Sequence, residues 1–139
     1  MPSCPFRTKF IVNPKAGQGK AGWDWGVAKE KLERVVGKVE FEFTTGPTIA
    51  TILTRRAIED KFELIVAVGG DGTLHEVANG FYENEAPLNP EAILGCVPLG
   101  GGSDFVRSLG YPQEWEKAVD KLGDGNTAIM DLGRFRCMG

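Results

Sequence analysis

A three-layer α/β/α domain, Rossmann-like and built on a mainly parallel sheet, is the fold class that this 139-residue sequence predicts. Three observations carry it. Strand-like apolar runs alternate with segments of helical apolar spacing, the run from Leu64 through Ile65, Val66 and Ala67 to Val68 is apolar without a break, and glycine-rich turns follow strands. Alternation of this kind implies right-handed crossovers, so the strands lie parallel with helices on both faces.

Residues 6–12 read as the first strand, running into a turn-rich segment from Asn13 to Gly22. From Trp25 the positions Ala28, Leu32 and Val35 recur at helical spacing, and Gly37 suits the C-terminal cap. Residues 39–43 alternate apolar and acidic side chains as a half-exposed strand; Pro47 suits the first turn of a helix carrying Ile49, Leu53 and Ala57. The unbroken run from Leu64 is expected near the sheet centre. After it, Leu74, Val77, Ala78 and Phe81 fall at i, i+3, i+4 and i+7. Residues 84–90, with Pro87 and Pro90, read as a linker. Residues 93–97 form the fourth expected strand, followed by Pro98 and a glycine run, with Ser103 or Asp104 opening a short helix. A last helix carries Trp115, Ala118, Val119 and Leu122 and stops at Gly123, and residues 127–132 suit a closing strand.

Hydrophobic residues make up 42% and charged residues 25%, the composition of a globular chain. The net charge is -3, and no Lys/Arg block forms the basic stripe with which nucleic-acid binders neutralise phosphates, so nucleic acid is not expected as a partner. Cys4, Cys96 and Cys137 are far apart and lack the close Cys/His spacing of a zinc site, which leaves reduced thiols and a cytoplasmic setting as the expectation. No stretch approaches the ~20 apolar residues that span a bilayer, so membrane contact is expected to be peripheral.

In open parallel sheets, ligands bind outside the carboxyl ends of the strands, where the glycine turns of this chain fall. Glycine admits φ > 0 and lets backbone N–H groups approach a phosphate with no Cβ in the way. Gly17, Gly19 and Gly22 match the dinucleotide fingerprint, with Glu40 or Glu42 about 20 residues on to hold a ribose. Against that reading, Asn13 and Pro14 separate the strand from the glycines, and the fingerprint leaves Gly69 to Thr73 without a purpose. A Walker A loop is excluded, because Pro14 takes its first glycine position and Ala21 its Ser/Thr. Asp71 carries the most information: a carboxylate between glycines at the end of a buried strand is poorly placed for packing. It can act as a base or a magnesium ligand in phosphoryl transfer, the bland alternative being a helix N-cap. His75 beside Glu76 points about 100° away and makes no metal pair. Trp23 and Trp25 read as packing, and Arg55, Arg56 and Lys61 as a solvated face balanced by Glu59, Asp60 and Glu63.

Three segments, in order, resemble the motifs of the diacylglycerol kinase catalytic domain: Asn13-Pro14 with its glycines; Gly69-Gly70-Asp71-Gly72-Thr73 leading into Glu76, Asn79 and Gly80; and Pro98 through Gly100, Gly101, Gly102, Ser103, Asp104, Phe105 and Arg107 to Gly110. The resemblance covers nearly the whole chain. Sphingosine kinases and NAD kinases share the central element, and Glu76, Asn79 and the last segment resemble the lipid-kinase branch. The resemblance implies an ATP- and Mg²⁺-dependent kinase acting on a lipid hydroxyl, diacylglycerol or a related lipid, at a membrane surface. A soluble kinase acting on NAD and a non-catalytic nucleotide-binding module are the alternatives. It further implies that Asn13, Thr45, Gly69, Gly70, Gly72, Thr73 and Glu76 contact ATP, that Asp71 is catalytic, and that Gly100, Gly101, Gly102 and Asp104 support phosphate binding. Gly101 and Ser103 stand where the family usually has Thr and Asn, which bears on substrate and rate more than on fold. Family members extend beyond Asp131, Leu132 and Gly133 into a β-rich domain. Residues 1–139 are therefore expected to be the N-terminal nucleotide-binding part, inactive in isolation and prone to self-association.

Overall fold

The computed structural model describes residues 4–17, 19–99 and 114–124. Its elements are β1 (Thr8–Val12), α1 (Lys20–Val36), β2 (Glu40–Phe43), α2 (Ile49–Glu59), β3 (Leu64–Gly69), α3 (Asp71–Gly80), β4 (Tyr82–Glu83), β5 (Ala86–Pro87), β6 (Ile93–Pro98) and α4 (Trp115–Asp124). Among the described residues, the main sheet has the order β2-β1-β3-β6, and every pairing in it is parallel.

Side chains alternate across a strand, and in this sheet both faces are apolar. Phe10, Val12, Val66 and Val68 point to one layer with Trp25, Ala28 and Leu32 of α1 and Val119 of α4. Ile11, Ile65 and Ala67 point to the other, with Leu53 and Ala57 of α2 and Leu74 and Val77 of α3. Every residue of β3 is buried, as its unbroken apolar run requires. The expected α/β/α layering is therefore the observed one. Trp25 lies in the core against Phe10 and Phe41, with ring centroids 6.2 and 5.2 Å away, which is the packing role read from sequence. Lys31 ties α1 to α4 through Asp120 Oδ1 at 3.1 Å and the Glu116 carbonyl at 3.0 Å.

Several boundaries differ from expectation for physical reasons. α1 begins at Lys20 instead of Trp25. Gly19 takes the left-handed conformation at the N-cap (φ 94°), and Gly22, already helical, donates its N–H to the Pro14 carbonyl at 3.0 Å. A Cβ on Gly22 would stand 2.9 Å from that oxygen, so this glycine lets the helix close on the loop. Pro47 lies outside α2, whose N-cap is Thr48. The expected linker supplies the turn, Asn84 (φ 52°) and Glu85 (φ 68°), and the second strand of an antiparallel pair, β4 with β5. Both central residues have φ > 0, the requirement of a hairpin turn usually met by Asn-Gly, and Glu in the second place hid it. Arg55 Nε and Nη2 donate to the Tyr82 carbonyl at 3.3 and 3.2 Å and hold the hairpin on α2. The short helix at Ser103 or Asp104 and the strand at 127–132 lie outside the described residues. No helix among those described is long and apolar enough to cross a membrane.

Candidate functional site

The chain reverses its direction of sheet growth between β1 and β3: β2 is added on one side of β1, β3 and then β6 on the other. Such a switch point opens a crevice between the loops leaving the two central strands. Here those loops are residues 13–17, after β1, and the turn at Gly69 and Gly70, after β3.

Asn13 joins the two sides. Its backbone N–H donates to the Val68 carbonyl at 3.0 Å, its Nδ2 to Thr73 Oγ1 at 3.2 Å, and its Oδ1 accepts the Lys15 N–H at 3.1 Å. An N–H can be received only by the amide oxygen, which settles the orientation of the side chain. Thr73 is 4% exposed and lies directly beneath Gly69. Gly69 has φ 154°, and a Cβ on it would stand 2.7 Å from Thr73 Oγ1. Only glycine leaves the loop after β1, the turn and α3 room to meet. The Leu99 N–H donates to the Gly69 carbonyl at 3.2 Å, so the chain leaving β6 runs beside the same turn.

The turn leads into α3 with Gly70 at the N-cap in extended conformation. Asp71 is therefore the first helical residue, and the capping role that offered its bland explanation belongs to Gly70. The first intrahelical bond runs from the Leu74 N–H to the Gly70 carbonyl at 3.1 Å. The N–H groups of Gly72 and Thr73 have no acceptor within the helix. Gly72 is exposed, and a Cβ on it would meet nothing within 4 Å.

An open cleft of about 310 Å³ lies over the carboxyl ends of β2, β1 and β3, lined among others by Asn13, Lys15, Thr45, Pro47, Thr73 and Glu76. Four residues predicted from sequence thus meet there: Asn13, Thr45, Thr73 and Glu76. Glu76 Oε1 is buried without a hydrogen-bond partner. A buried carboxylate oxygen normally has a donor, and Glu76 itself lines the cleft. Behind it, Thr51 Oγ1 donates to the Glu76 carbonyl at 2.7 Å and holds that turn of α3 against α2. Sequence reasoning passed over Lys15, the cation lining the cleft; its place beside Asn13 was the available signal.

Asp71 stands elsewhere. Five residues separate it from Glu76, about 140° around the helix, and it lies on the β6 flank of the glycine turn. Burial, reinforced by the Asp71 carboxylate, pushes the Cys96 thiol up from 9.0 to about 12. Cys96 is therefore neutral at physiological pH. A folded-state value above the unfolded one stabilises the fold fully below pH 9.0, and that contribution is lost as pH rises towards about 12. Native protein at pH 8 is expected to alkylate at Cys4, which is half-buried, well before Cys96. Peptide mapping after a short iodoacetamide pulse checks this, and equal labelling would show the Cys96 site to be open.

His75 is exposed and shares a 3.3 Å hydrogen bond between its Nε2 and Asn79 Nδ2. No group of three or more His, Cys, Asp or Glu residues that could hold a metal occurs among the described residues. Gly100, Gly101, Gly102, Ser103, Asp104 and Arg107 lie outside the described residues.

The model of the diacylglycerol kinase catalytic domain matches residues 7–135. The chain belongs to this family. It is 35% identical over 136 residues to a diacylglycerol kinase of Staphylococcus carnosus (strain TM300), covering 93% of this chain and 41% of that protein. It is 36% identical over 136 residues to a diacylglycerol kinase of Bacillus subtilis (strain 168), with 92% and 41% covered. The crystal structure of a diacylglycerol kinase from Bacillus anthracis str. Sterne superposes with a TM-score of 0.73 at 32% identity, covering 88% of this chain and 41% of that one. The chain thus spans about two fifths of the length of these relatives, and the lipid-kinase family resemblance read from three short motifs extends over nearly all of it.

Proposed function

We propose that this chain carries the phosphate-donor site of an ATP-dependent lipid kinase, with nucleotide in the cleft beside Glu76 and the acceptor hydroxyl meeting Asp71 on the far flank of the glycine turn. The observation that carries the proposal is the unpartnered Oε1 of Glu76 within a cleft that ends at the bare first turn of α3. An acceptor for a nucleoside hydroxyl or amine and backbone donors for phosphate are present in one space, so the residues fit ATP. Mg²⁺ would enter with the nucleotide, held chiefly by its phosphates.

ATP supplies the phosphoryl group that passes to the lipid hydroxyl. The protein's part is positioning and charge. Lys15 offsets negative charge at the cleft mouth, and the N–H groups of Gly72 and Thr73, with the positive end of the α3 dipole, face the phosphates. Thr45 closes the cleft on the β2 side, and Glu76 orients the nucleoside. Asp71 would accept the proton of the acceptor hydroxyl as its oxygen bonds to the γ-phosphorus and the bond from that phosphorus to the β–γ bridging oxygen breaks, releasing ADP. The family's name and the printed names of the relatives favour diacylglycerol as the acceptor, presented at a membrane surface to a peripheral protein.

Gly72 gives the test. The space around its absent Cβ is open, so Gly72→Val keeps the fold while setting a branched side chain over the first-turn N–H groups. Calorimetry on the full-length protein is expected to show ADP with Mg²⁺ bound at least tenfold more weakly by the variant, a loss of about 1.4 kcal/mol. Unchanged affinity in a folded variant would remove the site assignment. Binding by the wild type without transfer to any lipid hydroxyl would favour a non-catalytic nucleotide module.

A further inference from the structure

Thr48 holds the left-handed conformation, φ 67° and ψ -10°, at the N-cap of α2. For a β-branched residue this region is an outlier, because the branched Cβ crowds the backbone. Nothing local repays it: the Thr48 side chain makes no capping hydrogen bond. The first bonds around it are long, 3.4 Å from Ile49 N to the Gly46 carbonyl and 3.3 Å from Ile52 N to the Thr48 carbonyl, against a usual ~2.9–3.0 Å.

Its position gives the strain a use. Thr48 ends the lip that runs from β2 to α2 and whose Thr45, Gly46 and Pro47 line the cleft. The lip is anchored at both ends. At one, the Thr44 N–H donates to the Val12 carbonyl at 2.8 Å; at the other, Ala50 is 2% exposed in the core. Between the anchors, residues 45–48 are all exposed. Such a segment can change its backbone angles without disturbing the layers beneath.

We infer that the lip is a clamp held open at the expense of strain in Thr48, and that it closes over the phosphate donor as Thr48 leaves the left-handed region. The inference rests on the nucleotide reading of the cleft and adds to it a moving part. Relieving the strain stabilises the open form alone, so it weakens ligand binding while raising stability. Left-handed strain of about 1–3 kcal/mol corresponds to roughly fivefold to a hundredfold in affinity at 1.4 kcal/mol per tenfold.

The experiment compares wild type, Thr48→Asn and Thr48→Gly in the full-length protein. Asn tolerates the left-handed region better than Thr, and Gly better than Asn. Melting temperature without nucleotide is expected to rise in that order, and ADP affinity with Mg²⁺, by calorimetry, to fall in the same order. Equal or tighter ADP binding by Thr48→Gly would overturn the clamp while leaving the nucleotide reading in place, and so would an unchanged melting temperature. Failure of the wild type to bind ADP at all would overturn both.

Discussion

On the proposed lipid-kinase function, Asp71→Asn is expected to leave the fold of the full-length protein unchanged and to lower lipid-dependent turnover by ~10²-fold or more, the scale of a positioned acid-base group. The amide keeps the shape of the side chain and loses both its charge and its ability to take a proton. Gly70, not Asp71, occupies the N-cap, and Asp71 opens the helix behind it. Among the contributions Asp71 makes to stability is its interaction with the α3 dipole, about 0.3–1 kcal/mol at a helix start. A folding role and a catalytic role therefore predict different variants: a slightly lowered melting temperature with full turnover, or an unchanged one with turnover nearly lost. Radiolabel transfer from ATP to a diacylglycerol-containing micelle, beside a thermal melt, separates them. Wild-type turnover from a folded Asp71→Asn enzyme would end the catalytic reading.

Gly80→Val carries the largest expected effect on folding. Gly80 lies where α3 crosses α2, and a Cβ there would stand 2.5 Å from Thr54 Cβ, 2.7 Å from the Thr51 carbonyl oxygen and 2.8 Å from Thr54 Cγ2. One of these is backbone, and Thr54 is fully buried with its hydroxyl bonded to the Ala50 carbonyl at 2.7 Å, so neither neighbour can swing aside. The helices must separate, which exposes Leu53 and Val77 and pulls the Glu76 carbonyl from Thr51. Overpacking of this kind costs about 1–3 kcal/mol, occasionally more. Denaturant melts of Gly80→Val, with Gly80→Ala as the milder step, are expected to show a loss that grows with side-chain size. Nucleotide affinity should fall alongside, since Glu76 moves with α3. A Gly80→Val protein as stable as wild type would mean that the α2–α3 crossing is looser than the distances state.

The two variants probe parts of the molecule that differ in how openly the sequence displays them. Gly69, Gly70, Asp71, Gly72 and Thr73 could be picked out because their pattern is local: strand, glycines, carboxylate, helix. Gly80 could not. Its reason for being glycine is the side chain of Thr54, on another helix, and no spacing along the chain records that meeting. The start of α1 differs from its sequence expectation for a related reason, since Gly22 argues for a loop by propensity and is held in the helix by Pro14. The β4–β5 hairpin went unread because Glu85, at φ 68°, fills a place that turn preferences assign to glycine.

Periodicity and turn chemistry were sufficient for the layered α/β architecture, the burial of β3 and the place of the first two glycine turns at the carboxyl ends of β1 and β3, because each depends on residues within a few positions of one another. The sides of the site were decided by tertiary structure. Asp71 faces β6 while Thr73 and Glu76 face the cleft, Lys15 stands at its mouth, and Glu76 Oε1 is buried with no partner. The rotation of α3 that produces this division is fixed in part by α2, where Thr51 holds the Glu76 carbonyl across 25 residues, and by Asn13, which meets Thr73 across 60.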